Sequence, residues 1–349
     1  MNYLDLIRTS AMFMVIGLHS SSENMYKIAS TPPDIWGVSN IIVSMLRICV
    51  PLFFILSGYL ILSSESKNDE TPLHETGRRI LKVILPLLIW SIAYRFYIAY
   101  GVGETFNFSF IISSLRSISQ EAVTYHLWFL YEIIVIYMLI PVLRPLVRES
   151  DDPAIYFCCL WLFLSTLQAM AFLLNWNYVF GGRIDLGNIG YFVAGYLVRK
   201  HISAPRPIDA AAAAICFLVC AVITTLLTAR ESYAAGRYVE FLHVYSAPNV
   251  IFMSLSAFVV LLYVGRRIYE SNLALAKLVI SSVASCSFGI YLLHVLVLER
   301  MNYNIVGETA NSPSSAILNI ALTVLGCFAV CWPIIWCLRL SKMTRWLVP

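Results

Sequence analysis

LDLIRTSAMFMVIGLHS, residues Leu4 to Ser20, is apolar enough for a membrane helix but carries a guanidinium at Arg8 and an imidazole at His19. An ionised side chain at the bilayer centre costs about 2.5–3.5 kcal/mol on the insertion scale, so both residues need a reason. Their spacing of eleven is close to three full turns at 3.6 residues per turn. They therefore share one stripe of the helix, ~16 Å apart along its axis. Arg8 has two readings. It snorkels to the interface, or it is a functional cation paired with Asp5, three residues earlier.

The rest of the chain sets the class. Of its 349 residues, 59% are hydrophobic and only 13% charged, with mean hydropathy +0.76, where a soluble domain is about 25% charged. The pattern predicts an all-α polytopic membrane bundle of about ten helices of roughly 20 residues. These fall at about 3–20, 37–63, 80–100, 127–147, 154–174, 184–199, 208–229, 247–265, 278–298 and 315–340. No basic region precedes the first and no small-residue cleavage site follows it, so it is expected to be retained. One domain over 1–349, with no appended soluble domain, is expected. With the first span starting inside, fifteen Lys and Arg fall on the inner side, against six outside (Lys27, Arg116, Arg183, Arg230, Arg237 and Arg300). That bias predicts both termini in the cytoplasm. The net charge of +4 then reflects topology, and no nucleic-acid partner is expected.

The nine cysteines fall in predicted spans. Cys216/Cys220 and Cys327/Cys331 are read as small packing residues, with no metal site and no disulfide framework expected. The run DAAAAAICF, residues 209–217, predicts close helix packing through small side chains. His126 and His294 fall at a depth similar to that of His19, near the outer ends of their spans. Arg47 lies ten residues into the second span, ~15 Å deep, with Glu132 as its expected counter-ion. That pair reads equally as a structural clamp or as a substrate contact.

Five stretches in order, LDLIRTSAMFMVIGLHS, RICVPLFFILSGYLI, RRILKVILP, YHLWFLYEIIVIYMLIPVL and SFGIYLLHVLV, resemble the acyltransferase-3 family of membrane acyltransferases across essentially the whole chain. Within it they are most similar to short O-acetyltransferases of enterobacterial common antigen and O-antigen. The resemblance implies transfer of an acyl group, usually acetyl, from cytoplasmic acetyl-CoA to a hydroxyl of a cell-envelope glycan or lipid-linked glycan. It implies a multi-pass protein of the bacterial inner membrane. The family's first-span Arg and His match Arg8 and His19, and its second-span arginine and FFxxSG motif match Arg47, Phe53, Phe54, Ser57 and Gly58. Its basic RxxR-like loop matches only in part, as Arg79 and Lys82 with Arg78 adjacent, and a lysine cannot reproduce the arginine fork.

On this reading His19 is the general base, and Arg47 among others stabilises the oxyanion. Arg78, Arg79 and Lys82 hold the donor's phosphates, with Ser57 and Gly58 beside the donor. His294 orients the acceptor, shares the proton or packs, and His126 with Trp128 forms an outer aromatic platform. An acetyl-histidine intermediate is the alternative to direct transfer. Two other classes compete, a glycan or small-molecule transporter or flippase and a non-catalytic scaffold; O-succinyl transfer is the rival chemistry.

Overall fold

The computed structural model describes residues 2–64, 71–176, 186–301 and 312–348. Lys67, Arg183 and the start of the sixth predicted span lie outside them. Thirteen α-helices account for the regular structure of the described residues, which contain no strand. They are α1 (Asp5–Tyr26), α2 (Pro33–Leu46), α3 (Cys49–Ile61), α4 (Pro72–Gly101), α5 (Phe108–Gln120), α6 (Trp128–Met138), α7 (Ile140–Glu149), α8 (Asp152–Leu173), α9 (Ile189–His201), α10 (Pro207–Ala235), α11 (Pro248–Glu270), α12 (Ala274–Arg300) and α13 (Pro313–Leu340). The chain forms two compact units. The larger comprises Met1–Ser63 and Leu146–Trp332, the smaller Ser64–Pro145 and Pro333–Pro349.

Seven described segments are long and apolar enough to cross a bilayer: α2 with α3, α4, α8, α10, α11 with its preceding turn, α12 and α13. The pair Tyr125–Met138 and Ile140–Glu149, bent by 54°, makes an eighth if it is one broken span. The chain is thus a multi-pass membrane protein. Helices α1 and α9, both expected as spans, fall outside this set. Helix α9 has only 13 residues, and the C-terminal half of α1 carries Ser20 to Asn24.

Those polar residues do not end α1, which runs six residues beyond its predicted end. Ser20 and Ser21 donate to the Gly17 carbonyl at 3.0 and 2.8 Å, and Ser22 donates to the Leu18 carbonyl at 2.6 Å. Each hydroxyl is satisfied one turn back, so a polar string stays helical. Asn24 donates to Ser39 of α2 at 3.1 Å, and the Trp36 indole donates to the Met25 carbonyl at 3.2 Å. Helix α10 opens on Pro207, has a capping exchange between Arg206 and Asp209, and closes on Gly236 at φ 64°. This is the usual proline-first, glycine-last asymmetry. Its alanine run is mixed: Ala210 is buried, Ala213 and Ala214 are half-buried, and Ala211 and Ala212 are exposed. The small residues that bury, on a helix packed against α11 and α2, are Ala210, Ala221, Thr224, Thr228 and Ser232. Ile215, Leu218, Val222 and Leu226 stay exposed on α10, as lipid-facing side chains must.

Backbone approach fixes α3 against α9. A Cβ added at Gly58 would lie 1.7 Å from the Phe192 carbonyl oxygen, and one at Gly195 would lie 2.1 Å from that of Ile55. The glycine of the FFILSG stretch is thus a packing glycine, and the space beside it holds helix α9. In the smaller unit Arg144, 3% exposed, donates to both oxygens of Glu75 at 2.7 and 3.2 Å. Arg79 donates to the same carboxylate at 2.7 and 3.1 Å.

Substituting Gly58 or Gly195 with valine is expected to cost about 1–3 kcal/mol or more, because two backbones must separate. Gly77→Ala, where a Cβ meets nothing within 4 Å, is expected to be neutral or stabilising by up to about 1 kcal/mol. Thermal unfolding of the detergent-purified variants separates the two classes.

Candidate active site

The second span is not continuous. Helix α2 ends at Leu46 and α3 begins at Cys49, which leaves Arg47 and Ile48 at the junction. Pro51 is the physical cause. A proline has no N–H to give the carbonyl four residues back, which is that of Arg47, and its ring crowds it. Arg47 therefore sits at a helix break inside an apolar segment, with its side chain only 12% exposed.

The carboxylate that meets Arg47 is Glu240, at 3.0 Å from Nη2, and not the expected Glu132. Glu132 is a half-buried residue of the smaller unit. Arg47 Nη2 also donates to the Tyr238 hydroxyl at 3.2 Å. From there hydrogen bonds continue to His243 Nδ1 at 2.6 Å, from His243 Nε2 to Ser44 Oγ at 2.9 Å, and from Ser44 to Asn40 Oδ1 at 3.5 Å. Asn40 Nδ2 closes the chain on the Thr225 carbonyl at 2.9 Å.

Donor bookkeeping gives the chain one direction. Asn40 donates to a carbonyl, so its oxygen accepts from Ser44. The Ser44 proton is then committed, and its oxygen accepts from His243 Nε2–H. In a neutral imidazole Nδ1 is then the acceptor, and it takes the Tyr238 proton. The Tyr238 oxygen in turn accepts from Arg47. Each bond polarises the next, and the guanidinium is fixed at the head of the chain. Its Nε is buried without a hydrogen-bond partner among the described residues. An orphaned donor of this kind is costly unless it has a use.

His19 and His294 meet. Their rings stack with centroids 5.3 Å apart and planes 28° from parallel. His294 is fully buried, while His19 is half-buried and keeps accessible surface. His294 Nδ1–H donates to the Tyr291 carbonyl one turn back at 2.6 Å, which leaves Nε2 as the proton-accepting atom of the neutral ring. Arg47 is within electrostatic reach of both His19 and His243. At the other end of α1, Arg8 pairs with Asp5 at 3.2 Å as its spacing allowed.

The remaining predicted residues divide as follows. Ser57 is half-buried on α3. Arg79 is engaged with Glu75, so its fork is already occupied, while Arg78 and Lys82 are exposed on α4. Trp128 is half-buried. His126 is not an exposed platform: it is 2% exposed and lies edge-on to Tyr94 at 5.3 Å. Of the three histidines placed at one depth, two stack together and the third packs in the smaller unit. The sequence reading missed Tyr238, Glu240, His243, Ser44 and Asn40. The first three lie in a loop, where no helical period signals a shared face.

A multi-pass helical protein in which a half-buried imidazole stacks on a buried one, with a guanidinium within electrostatic reach, is equipped for proton transfer and anion stabilisation within the membrane. The profile of the acyltransferase-3 family, described as an acyltransferase domain, matches residues 1–336, and the chain belongs to that family. It is a membrane acyltransferase. Neither a curated protein nor a solved structure matches the chain.

Tyr238→Phe removes the hydroxyl between Arg47 and His243 and leaves a buried imidazole nitrogen without its donor. The expected cost at neutral pH is about 1–3 kcal/mol. Burial pushes the Tyr238 phenol up to about 12 from 10.0, against the opposing pull of the Arg47 charge. A folded-state pKa above the unfolded one stabilises below pH 10, and that stabilisation is lost as pH rises from 10 towards 12. The difference in thermal midpoint between wild type and Tyr238→Phe should shrink across that window.

Proposed function

We propose that the protein is an O-acetyltransferase of the bacterial inner membrane, moving acetyl from cytoplasmic acetyl-CoA to a hydroxyl of a cell-envelope glycan. On this reading it works as short enzymes that modify enterobacterial common antigen or O-antigen do. One observation carries the reading. In a chain of an acyltransferase family, an accessible histidine is stacked on a buried one, and an arginine with a free buried donor lies within electrostatic reach.

The acceptor hydroxyl attacks the thioester carbonyl, and His19, the more accessible imidazole, takes its proton as general base. Arg47 Nε–H and the rest of that guanidinium stabilise the developing oxyanion, held in place by the Tyr238–His243–Ser44 chain. His294, locked by Tyr291, fixes the His19 ring by stacking and orients the acceptor. CoA thiolate leaves, and the proton on His19 neutralises it or returns to water. Arg8, on the same helix as His19, marks the donor's side of entry. Arg78, Lys82 and Ser57 are retained as proposed donor contacts, and Trp128 as a sugar platform. Direct transfer is preferred because no further nucleophile is required.

His19→Ala and His294→Ala should abolish acetyl transfer, and Arg47→Lys should lower it by 10²-fold or more, the scale of a lost oxyanion donor. The check is CoA release from acetyl-CoA by purified protein with candidate glycans, together with mass spectrometry of surface glycan in cells. Wild-type transfer by His19→Ala protein would end the base assignment.

We also propose ten crossings with both termini in the cytoplasm, on the strength of the fifteen-to-six charge bias. Fusions of a periplasm-active reporter after α1 and after α13 should be active and inactive, respectively.

A further inference from the structure

Several arginines of this protein meet carboxylates, as at Arg8–Asp5, Arg47–Glu240 and Arg144–Glu75. Arg199 and Arg266 do not. No carboxylate among the described residues lies within ion-pair distance of either. Arg199 lies over the ring of Tyr59 at 5.0 Å, and Arg266 lies over the ring of Tyr3 at 4.3 Å. The two tyrosine hydroxyls are 3.5 Å apart. Tyr59 is completely buried, and Arg266 Nε is buried without a hydrogen-bond partner among the described residues.

Four segments converge here. Arg199 is in the last turn of α9, Arg266 near the end of α11, Tyr59 near the end of α3, and Tyr3 just before α1. Gly265 permits the approach, since a Cβ there would lie 2.2 Å from the Tyr3 carbonyl oxygen. The helix carboxyl ends attract cations, which explains why arginines are tolerated at these positions. It does not explain why a guanidinium lies over each of two tyrosines whose hydroxyls are 3.5 Å apart, with no carboxylate near either guanidinium among the described residues. An anion bound between them does. Guanidiniums held over aromatic rings present forked N–H pairs suited to phosphate oxygens.

We infer that Arg199 and Arg266, held on Tyr59 and Tyr3, form a phosphate-binding site at the end of the larger unit near Arg8, and that it takes the phosphates of the acyl donor. The second half rests on the donor reading given above. The same chemistry fits an anionic lipid headgroup. Tyr59 and the Arg266 Nε are buried and Arg199 is exposed, so the site is rooted in the helix cluster and open to water, which favours a free phosphate ligand over a peripheral lipid.

The test is equilibrium binding of coenzyme A and of inorganic pyrophosphate to the full chain in phosphatidylcholine nanodiscs. Wild type is compared with Arg199→Gln, Arg266→Gln, Arg266→Lys, Arg78→Gln, Lys82→Gln and the control Arg230→Gln. Thermal unfolding confirms that each is folded, and exposed Arg199 serves if Arg266 variants do not fold. At least tenfold weaker binding of both probes in Arg199→Gln and Arg266→Gln, with Arg230→Gln unchanged, supports the site. Wild-type-like binding of both probes by the Arg199 and Arg266 variants overturns it and leaves the donor reading standing. Pyrophosphate binding that depends on the two arginines, without coenzyme A binding, keeps the phosphate site and ends the donor reading. If neither probe binds, but an anionic phosphatidylglycerol nanodisc protects wild type and not the variants against heat, the site belongs to lipid and the inference fails. No response to either probe or to the anionic lipid overturns it as well.

Discussion

The ring of Pro51 and the carbonyl of Arg47 cannot occupy the helical positions their spacing would give them. The second span therefore breaks at Arg47–Ile48, and its two halves do different work. Helix α2 keeps Ser44 and Asn40 in the chain of hydrogen bonds that ends on Thr225. Helix α3 packs on α9 at backbone distance through Gly58 and Gly195. Both junction residues keep helical dihedrals, so the halves remain one span, and Arg47 at the junction meets Tyr238 and Glu240 on the loop after α10.

Burying charge dictates much of what surrounds these elements. A lone buried ion costs several kcal/mol, and pairing offsets that cost only when the remaining donors and acceptors are also satisfied. The Arg144–Glu75–Arg79 triad joins one buried carboxylate to two guanidiniums and reads as a structural clamp. Arg47 instead shares its partner Glu240 with solvent and heads a chain that runs through Tyr238 and His243.

Helical periodicity made part of this legible from residues alone. The Arg8–Asp5 pair follows from a spacing of three, and the meeting of His19 with His294 was foreshadowed by their common depth. The extension of α1 to Tyr26 was hidden because serines that bond back to their own helix look like a loop in composition. The partner of Arg47 was hidden for a different reason. Glu240 lies 193 residues away in sequence, in a loop without a period, so only tertiary packing brings the two together. His126 shows the converse: similar depth does not make residues neighbours, and packing against Tyr94 gives it another role.

Helix α1 supplies a ruler for the chemistry. From Asp5, beside the Tyr3 end, to His19 is fourteen residues of continuous helix, or about 21 Å at 1.5 Å per residue. A donor that rests its phosphates on Arg199 and Arg266 must therefore deliver its acyl group about that far along the helix. An acyl phosphate, whose acyl carbon is bonded directly to a phosphate oxygen, cannot satisfy both ends at once. A donor with a long, thin, unbranched arm between phosphate and thioester can. On the proposed phosphate site, the separation of cation pair from imidazole pair thus favours a thioester donor with such an arm over an acyl phosphate.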